Sequence, residues 1–370
     1  MSDKIKLLLS SAEKIVREKD INKLIYMLAD LARELLEAHR MSLFLLDEQK
    51  GTLYTFVAHG VSRIEIPKNK GFVGYSATTG ESLIVEDAYK DERFNPEVDK
   101  ATGYRTKSVI VVPIFDRKGQ VMGVFQGINK LSGNFTQEDL EILTLLGGFA
   151  GAYIENQALT EEIKKAHEET ITRLSYAAEY KDPETYNHIL RIGLFSELMA
   201  KKLGFDEKYC YNIRLAAPMH DIGKLGIPDA ILLKKGKLEG EEWEVMKKHT
   251  IIGYNILKGS DSDLLKLAAV IALEHHEKWD GTGYPYGKKG EEINIAARIT
   301  AIADVFDALT SKRPYKPAWS VEEATKYMKE LKGRHFDPNL LDLFFENLDE
   351  VLSIKERYKD EKEPIGINFS

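Results

Sequence analysis

Residues 215–229 read Leu-Ala-Ala-Pro-Met-His-Asp-Ile-Gly-Lys-Leu-Gly-Ile-Pro-Asp. An apolar helical pattern stops here at the adjacent pair His220-Asp221. Two donors at a helix end can reach one cation together, and the two oxygens of Asp221 can bridge two. Working outward, Glu184 and His188 stand four residues apart, which puts both on one face of a helix. Downstream come His249, His275-His276 and Asp304. Five of the chain's nine histidines thus accompany three carboxylates in one C-terminal stretch. An isolated histidine in a helix is mostly structural. Several embedded in apolar helices with carboxylates are costly to bury unless paired or metal-bound. The set offers nitrogen and oxygen without sulfur, which suits Fe(II), Mn(II) or Zn(II), and its carboxylate content favours iron first and manganese next.

The rest of the chain sets the frame. Its 370 residues, 43% of them hydrophobic, suffice for two cores and exceed one ordinary domain. A net charge of −7 gives no general attraction for nucleic acid or anionic membrane, so a phosphate-bearing ligand must meet a local positive pocket. Cys210 is the single cysteine, which excludes an internal disulfide and a thiolate-rich metal site and fits a reducing, cytoplasmic home. No run approaches the ~20 apolar residues of a membrane span, so the expectation is a soluble chain, neither exported nor anchored by itself.

From about residue 21 to 127, helical patterns alternate with β-rich runs: MSLFLLD, GTLYTFVAHG, ESLIVED, KSVIVVPIFD and GQVMGVFQGINK. These predict an antiparallel sheet in an α/β sandwich. From Thr136 to Tyr180 there is no proline and a helical pattern of about 45 residues. Ile142, Leu146, Phe149 and Tyr153, then Leu159, Ile163 and Ala166, form a stripe that serves either as the seam of a parallel two-chain coiled coil or as a face packed on the chain's own sheet. After Pro183 everything reads as helices and short loops. The fold class expected is α+β multidomain, with an all-α C-terminal domain.

The C-terminal motifs resemble the HD-GYP subgroup of HD-domain phosphohydrolases. The resemblance rests on His220-Asp221-Ile222-Gly223-Lys224, on His275-His276-Glu277 with Asp280-Gly281 and Gly283-Tyr284-Pro285, on Ala303-Asp304-Val305-Phe306-Asp307, and on Arg313-Pro314-Tyr315-Lys316. It covers about residues 170–345. It implies one metal held by His188, His220, Asp221 and Asp304, and a second sharing Asp221 with His249 and His275. A third ion is implied for Glu184 and His276. The implied chemistry is hydrolysis of cyclic di-GMP, a second messenger in signal transduction, to pGpG or GMP. Lys224, beside the His-Asp pair, would act in catalysis and on a phosphate, with a solvated charge as its bland alternative. Arg313 and Lys316 suit the second phosphate or a guanine edge. Tyr284 would stack on a base or close the pocket, and the surrounding glycines also shape that loop.

Gly71-Phe72-Val73-Gly74, Asp87, Asp91, Arg93-Phe94-Asn95, Asp99, Gly103-Tyr104, Ser108 and Val112-Pro113 resemble a GAF domain over about residues 20–150. This implies regulation by an unknown small ligand, which the sequence leaves open; His59 and Cys210 read as structural. The expected division is a sensory domain over 1–140, a linker helix over 141–180, a catalytic domain over 181–350 and a charged tail over 351–370. The expected assembly is a homodimer. A cyclic di-GMP receptor with little turnover and another HD-fold metal phosphohydrolase are the competing functions.

Overall fold

The computed structural model describes residues 17–18, 20–59, 64–180, 185–312 and 317–360. The chain folds as two compact units, 1–164 and 165–370.

In the first unit, α1 (Ile21–Leu35) starts at Asp20, whose carboxylate accepts from Asn22 N and Lys23 N. Strands β1 (Ala38–Asp47), β2 (Thr52–Ala58) and β3 (Glu65–Pro67) are followed by α2 (Gly71–Thr79), β4 (Leu83–Val85), α3 (Glu97–Thr102), β5 (Val109–Phe115) and β6 (Val121–Lys130). The six strands form one antiparallel sheet in the order β3-β2-β1-β6-β5-β4. Strand β5 explains the layering. Its side chains alternate between faces, and both faces are covered: Ile110, Val112 and Ile114 join the core under α1, while Val109 and Val111 join Phe44, Phe72 and Val124 on the other side. Each aliphatic side chain so buried contributes roughly 1.5–3 kcal/mol. The short edge strand β3 had no counterpart among the sequence-derived strands.

Helix α4 (Gln137–Glu179) fills the span expected to be helical. Its start is capped reciprocally: Asp139 N–H donates to Thr136 Oγ1 at 3.2 Å, and Thr136 N–H to Asp139 Oδ2 at 2.9 Å. The apolar stripe read from the sequence divides between two faces. Leu146 sits in the first unit's core with Leu143 and Ala150, and Ile142 and Tyr153 pack against it. Phe149, Leu159 and Ile163 are exposed. They lie on the neighbouring face, with Leu145, Ala152, Asn156, Ala166 and Thr170 also open to solvent in whole or part. That open face carries the unbroken four-three spacing, so the stripe as first read mixes a packed row with an open one.

The second unit is helical: α5 (Tyr186–Lys202), α6 (Glu207–Ala216), α7 (Asp229–Leu232), α8 (Glu241–Lys247), α9 (His249–Leu257), α10 (Asp263–Glu274), α11 (Ile295–Thr310), α12 (Val321–Glu330), α13 (Pro338–Glu346) and α14 (Leu348–Arg357). Phe195 of α5, Phe306 of α11 and Phe344 of α13 meet edge to face in its core, with ring centroids 5.1–6.3 Å apart, the favoured aromatic geometry. The charged C-terminal segment is helical through Arg357, with Val351 buried. Among the described residues no helix is long and apolar enough to cross a membrane.

Candidate metal centre

Two close approaches build the site. Between α6 and α7 the chain makes short 3-10 turns, Ala217–Met219 and Ile222–Gly226, with His220 and Asp221 between them. A Cβ on Gly223 would stand 1.8 Å from the carbonyl oxygen of His249 and 2.5 Å from Gly253 N. Only glycine lets this turn lie against α9, and that contact brings Asp221 beside His249. A Cβ on Gly283 would fall 2.3 Å from Lys278 N, so the loop carrying Tyr284 folds tightly back on Glu277. The buried Glu277 carboxylate accepts from Tyr286 N at 2.8 Å and Lys288 N at 3.0 Å, which pins the loop further.

The remaining donors come from helix ends and faces. His188 lies in the first turn of α5, where its N–H donates to the capping Thr185 Oγ1. His249 opens α9, His275 caps α10, and Asp304 and Asp307 share a face of α11 three residues apart. Asp221, His249, His275 and His276 offer ligand atoms all within 4.8 Å of one another, and so do His188, His220 and Asp304. Asp221 Oδ1 is 3.2 Å from His249 Nε2 and 3.5 Å from His275 Nε2, while its Oδ2 is 3.3 Å from His220 Nε2. Asp304 Oδ1 is 3.7 Å from His188 Nε2 and 4.0 Å from His220 Nε2. The two groups therefore meet at Asp221 and His220.

The imidazoles are oriented from behind. His220 Nδ1 faces the Ala217 carbonyl at 3.0 Å, His249 Nδ1 the Met246 carbonyl at 2.7 Å, and His275 Nδ1 the carbonyls of Ile271 and Ala272, each at 3.1 Å. A carbonyl only accepts, so each Nδ1 carries a proton and each Nε2 is the nitrogen turned inward, the one that can offer its lone pair to a cation. His188 Nδ1 is held by Asp307 at 2.8 Å. Arg191 in turn clamps Asp307 through Nε at 2.6 Å and Nη2 at 2.8 Å. Backing of this kind fixes the tautomer and ring plane of metal-binding histidines.

The electrostatics ask for a cation. Burial works against charge on His220, yet Asp221, Asp304 and the nearby Glu179 outweigh it and push the imidazole up to about 10. Burial would raise Asp221, but Lys224 Nζ at 2.7 Å and His220 hold it well below the usual carboxylate range. Burial and the neighbouring histidines lower His275 and His276. Among the described residues, His220 Nε2, Asp221 Oδ1 and both oxygens of Glu179 are buried without a hydrogen-bond partner. Buried polar atoms without partners are rare in native proteins, and a mixed nitrogen and oxygen set of this kind fits divalent cations.

Tyr284 stands at the edge of this cluster, its ring centroid 4.8 Å from that of His276 and 5.9 Å from that of Trp243, and burial pushes its hydroxyl above the usual range. Glu184, Arg313 and Lys316 lie outside the described residues. Sequence reasoning assigned no role to Glu179, Asp307 or Arg191. For the last two a signal existed, since each stands three residues from a candidate ligand on the same helix, and i, i+3 neighbours share a face. His59 and Cys210 are structural: His59 bonds the Met41 carbonyl and Asp30, and Cys210 Sγ lies 3.5 Å from the Phe205 carbonyl. The first unit holds a cleft of about 100 Å³, with Arg40, His59, Lys70, Phe72, Asp99 and Tyr104 among its walls.

The fold and the site can be set beside known proteins. Residues 172–340 match the HD domain family and residues 20–154 the GAF domain family. A cyclic di-GMP phosphodiesterase of Thermotoga maritima is 47% identical over 193 residues, covering 52% of this chain and 52% of that protein. A 3'3'-cGAMP-specific phosphodiesterase of Vibrio cholerae is 41% identical over 222 residues, covering 60% of this chain and 42% of that one. The GAF domain of an Acinetobacter phosphoenolpyruvate-protein phosphotransferase aligns at 20% identity and a TM-score of 0.39, covering 44% of this chain and 99% of that domain. The chain spans about half the length of the curated relatives it matches. It is thus a protein that joins an N-terminal GAF domain, residues 20–154, to a C-terminal HD domain, residues 172–340.

Proposed function

We propose that this chain is a metal-dependent phosphodiesterase that hydrolyses cyclic di-GMP, to pGpG or GMP, under the control of its GAF domain. The observation that carries the reading is the convergence of inward-facing imidazole Nε2 atoms on Asp221 and Asp304, backed by carbonyls and by Asp307. The activities named for the relatives support the substrate class. His188, His220, Asp221 and Asp304 would hold one cation, Asp221, His249 and His275 a second, and His276 with Glu184 a third. Such cations, iron first and manganese next, supply Lewis-acid stabilisation of phosphoryl charge and a water acidic enough to attack at neutral pH.

The chain's own groups do the rest. Lys224, held at 2.7 Å by Asp221, neutralises a phosphate or gives a proton to the leaving ribose oxygen. Arg313 and Lys316 bind the second phosphate through charge-assisted hydrogen bonds. Tyr284 stacks on a guanine at the rim. The cleft of the GAF domain takes a small ligand, and α4 carries its effect onward.

Turnover of cyclic di-GMP and of 3'3'-cGAMP, measured on anaerobically purified full chain with metal content determined on the same sample, tests the reading. Cyclic di-GMP should be cleaved at least about tenfold faster in kcat/KM, a difference of roughly 1.4 kcal/mol, and chelation should stop it. Faster cleavage of 3'3'-cGAMP would favour the second substrate, which the relative at 41% identity supports. Tight binding of cyclic di-GMP without turnover by metal-loaded protein would make the chain a receptor.

A homodimer through α4 belongs to the same reading. Leu145, Phe149, Ala152, Asn156, Leu159, Ile163, Ala166 and Thr170 repeat at four and three residues along the open face, the spacing of a coiled-coil seam. Leu146 already serves the GAF core, so the charge that tests the seam belongs elsewhere. Phe149→Glu with Ile163→Glu should turn a dimer into a monomer in sedimentation at micromolar concentration. A wild-type monomer, or a double variant that stays dimeric, would remove the seam.

A further inference from the structure

Glu179 is the last residue of α4. Its side chain is 1% exposed, and neither carboxylate oxygen has a hydrogen-bond partner among the described residues. It is also close to the reaction centre, because one of its oxygens lies within 4.8 Å of ligand atoms of both His220 and Asp221.

The groups around it leave it little choice of partner. His220 commits Nδ1 to the Ala217 carbonyl and turns Nε2 toward Asp221 at 3.3 Å. Lys224 Nζ is drawn to Asp221 Oδ2 at 2.7 Å. Asp221 is itself a carboxylate, and two carboxylates so close in a dry site repel unless a positive charge lies between them. Two carboxylates and one imidazole make the donor set of a divalent cation such as Mn(II) or Fe(II).

We infer that Glu179 is a ligand-bearing residue of the metal centre, its carboxylate joining His220 and Asp221 on a divalent cation, so that the C-terminal end of α4 is built into the site. The inference rests on the metal-centre reading above. It adds a donor to that set, and it gives α4 a direct hold on the chemistry: a change in the last turn of the helix alters the coordination of an ion.

The test uses the full chain, Mn(II) as the probe, and Glu179→Gln, which keeps the shape of the side chain and removes its charge. Mn(II) affinity is read by competition with a chelator, and the midpoint of thermal unfolding is read with and without Mn(II). The expected result has three parts. Mn(II) affinity falls on the order of tenfold to a hundredfold, by analogy with the loss of supporting groups at metal sites. The metal-free midpoint stays equal or rises, because a buried carboxyl without a hydrogen-bond partner among the described residues has gone. The rise in midpoint on adding Mn(II) shrinks. Glu169→Gln, on an exposed part of the same helix, should change none of these. Unchanged Mn(II) affinity together with an unchanged metal-induced rise would overturn the inference and leave Glu179 a packing residue. Wild-type protein that takes up no Mn(II) would instead remove the metal-centre reading itself.

Discussion

Asp139 and Asp99 in the GAF domain are 0% and 7% exposed, and Glu179 and Asp221 in the HD domain are 1% and 8% exposed. The two pairs are equally hidden and very differently served. Asp139 accepts from Lys130 Nζ at 2.6 Å and from the Thr136 N–H. Asp99 accepts from Thr106 N, Thr106 Oγ1 and Tyr89 OH. Each holds a loop or a helix start in place, and each is answered by donors from its own domain. In the HD domain, Glu179 and one oxygen of Asp221 have no such donor among the described residues. Burial alone therefore does not mark a functional carboxylate. Burial without donors, beside inward-facing imidazoles, does, because a desolvated charge is costly until something positive arrives.

The largest expected effect breaks the HD side of this contrast at its centre. Asp221→Asn removes the charge that the two ligand groups share, so Mn(II) binding should be lost and turnover should fall on the order of 10³-fold or more, as for groups that act as a unit. Protection of amides in the GAF sheet should not change, which hydrogen exchange with mass spectrometry reads separately for each domain. Turnover near the wild-type level at unchanged metal content would refute the site.

Asp307 comes next, since it stands on both sides of the comparison: it is fully paired, yet its partners belong to the site. Burial would raise its carboxyl, but the hydrogen bonds from His188 and Arg191 hold it well below the usual range. Asp307→Asn leaves the 1%-exposed Arg191 guanidinium with only the more exposed Asp360, at 3.1 Å, as counter-charge and turns an amide toward a ring that must keep its orientation. Stability of the HD domain should drop by about 3–5 kcal/mol, and Mn(II) affinity by about 10- to 100-fold. Denaturant unfolding and a chelator-competition titration of the same variant measure the two. A stability loss with unchanged metal affinity would show that Asp307 supports the fold and not the imidazole.

How much of this was legible in the sequence follows from how local each signal is. His220-Asp221 and His275-His276 announce themselves because adjacent donors in apolar helices have few other uses, and the strands of the GAF domain announce themselves through β-branched runs. Asp307 and Arg191 needed a helical reading of two stretches at once, with the knowledge that they face each other across 116 residues of chain. Glu179 carried no signal: Ala177-Ala178-Glu179 reads as ordinary helix, and only the fold brings it to His220. The apolar stripe of α4 was legible as a stripe but not in phase, because the row that meets the sheet and the row that stays open lie on neighbouring faces of one helix. Strand β3 is three residues long and ends in Pro67, too short for periodicity to register.

The smallest expected effect tests the GAF side. Asp139 takes the charge of Lys130, whose side chain is 9% exposed, and caps α4 through Thr136. Lys130 Nζ also donates to the Leu36 carbonyl at 2.9 Å, so it keeps one buried acceptor when the carboxylate is lost. In Asp139→Asn the amide oxygen can still accept from Thr136 N–H or from Lys130, though not with full charge. The cost should therefore be that of one weakened charged hydrogen bond, about 1–3 kcal/mol, below the value for Asp307. It should appear as faster hydrogen exchange in β1, β6 and the first turns of α4, while Mn(II) affinity stays at the wild-type level. A fall in Mn(II) affinity in this variant would break the comparison, since a carboxylate fully answered within the GAF domain would then be acting on the metal centre through α4.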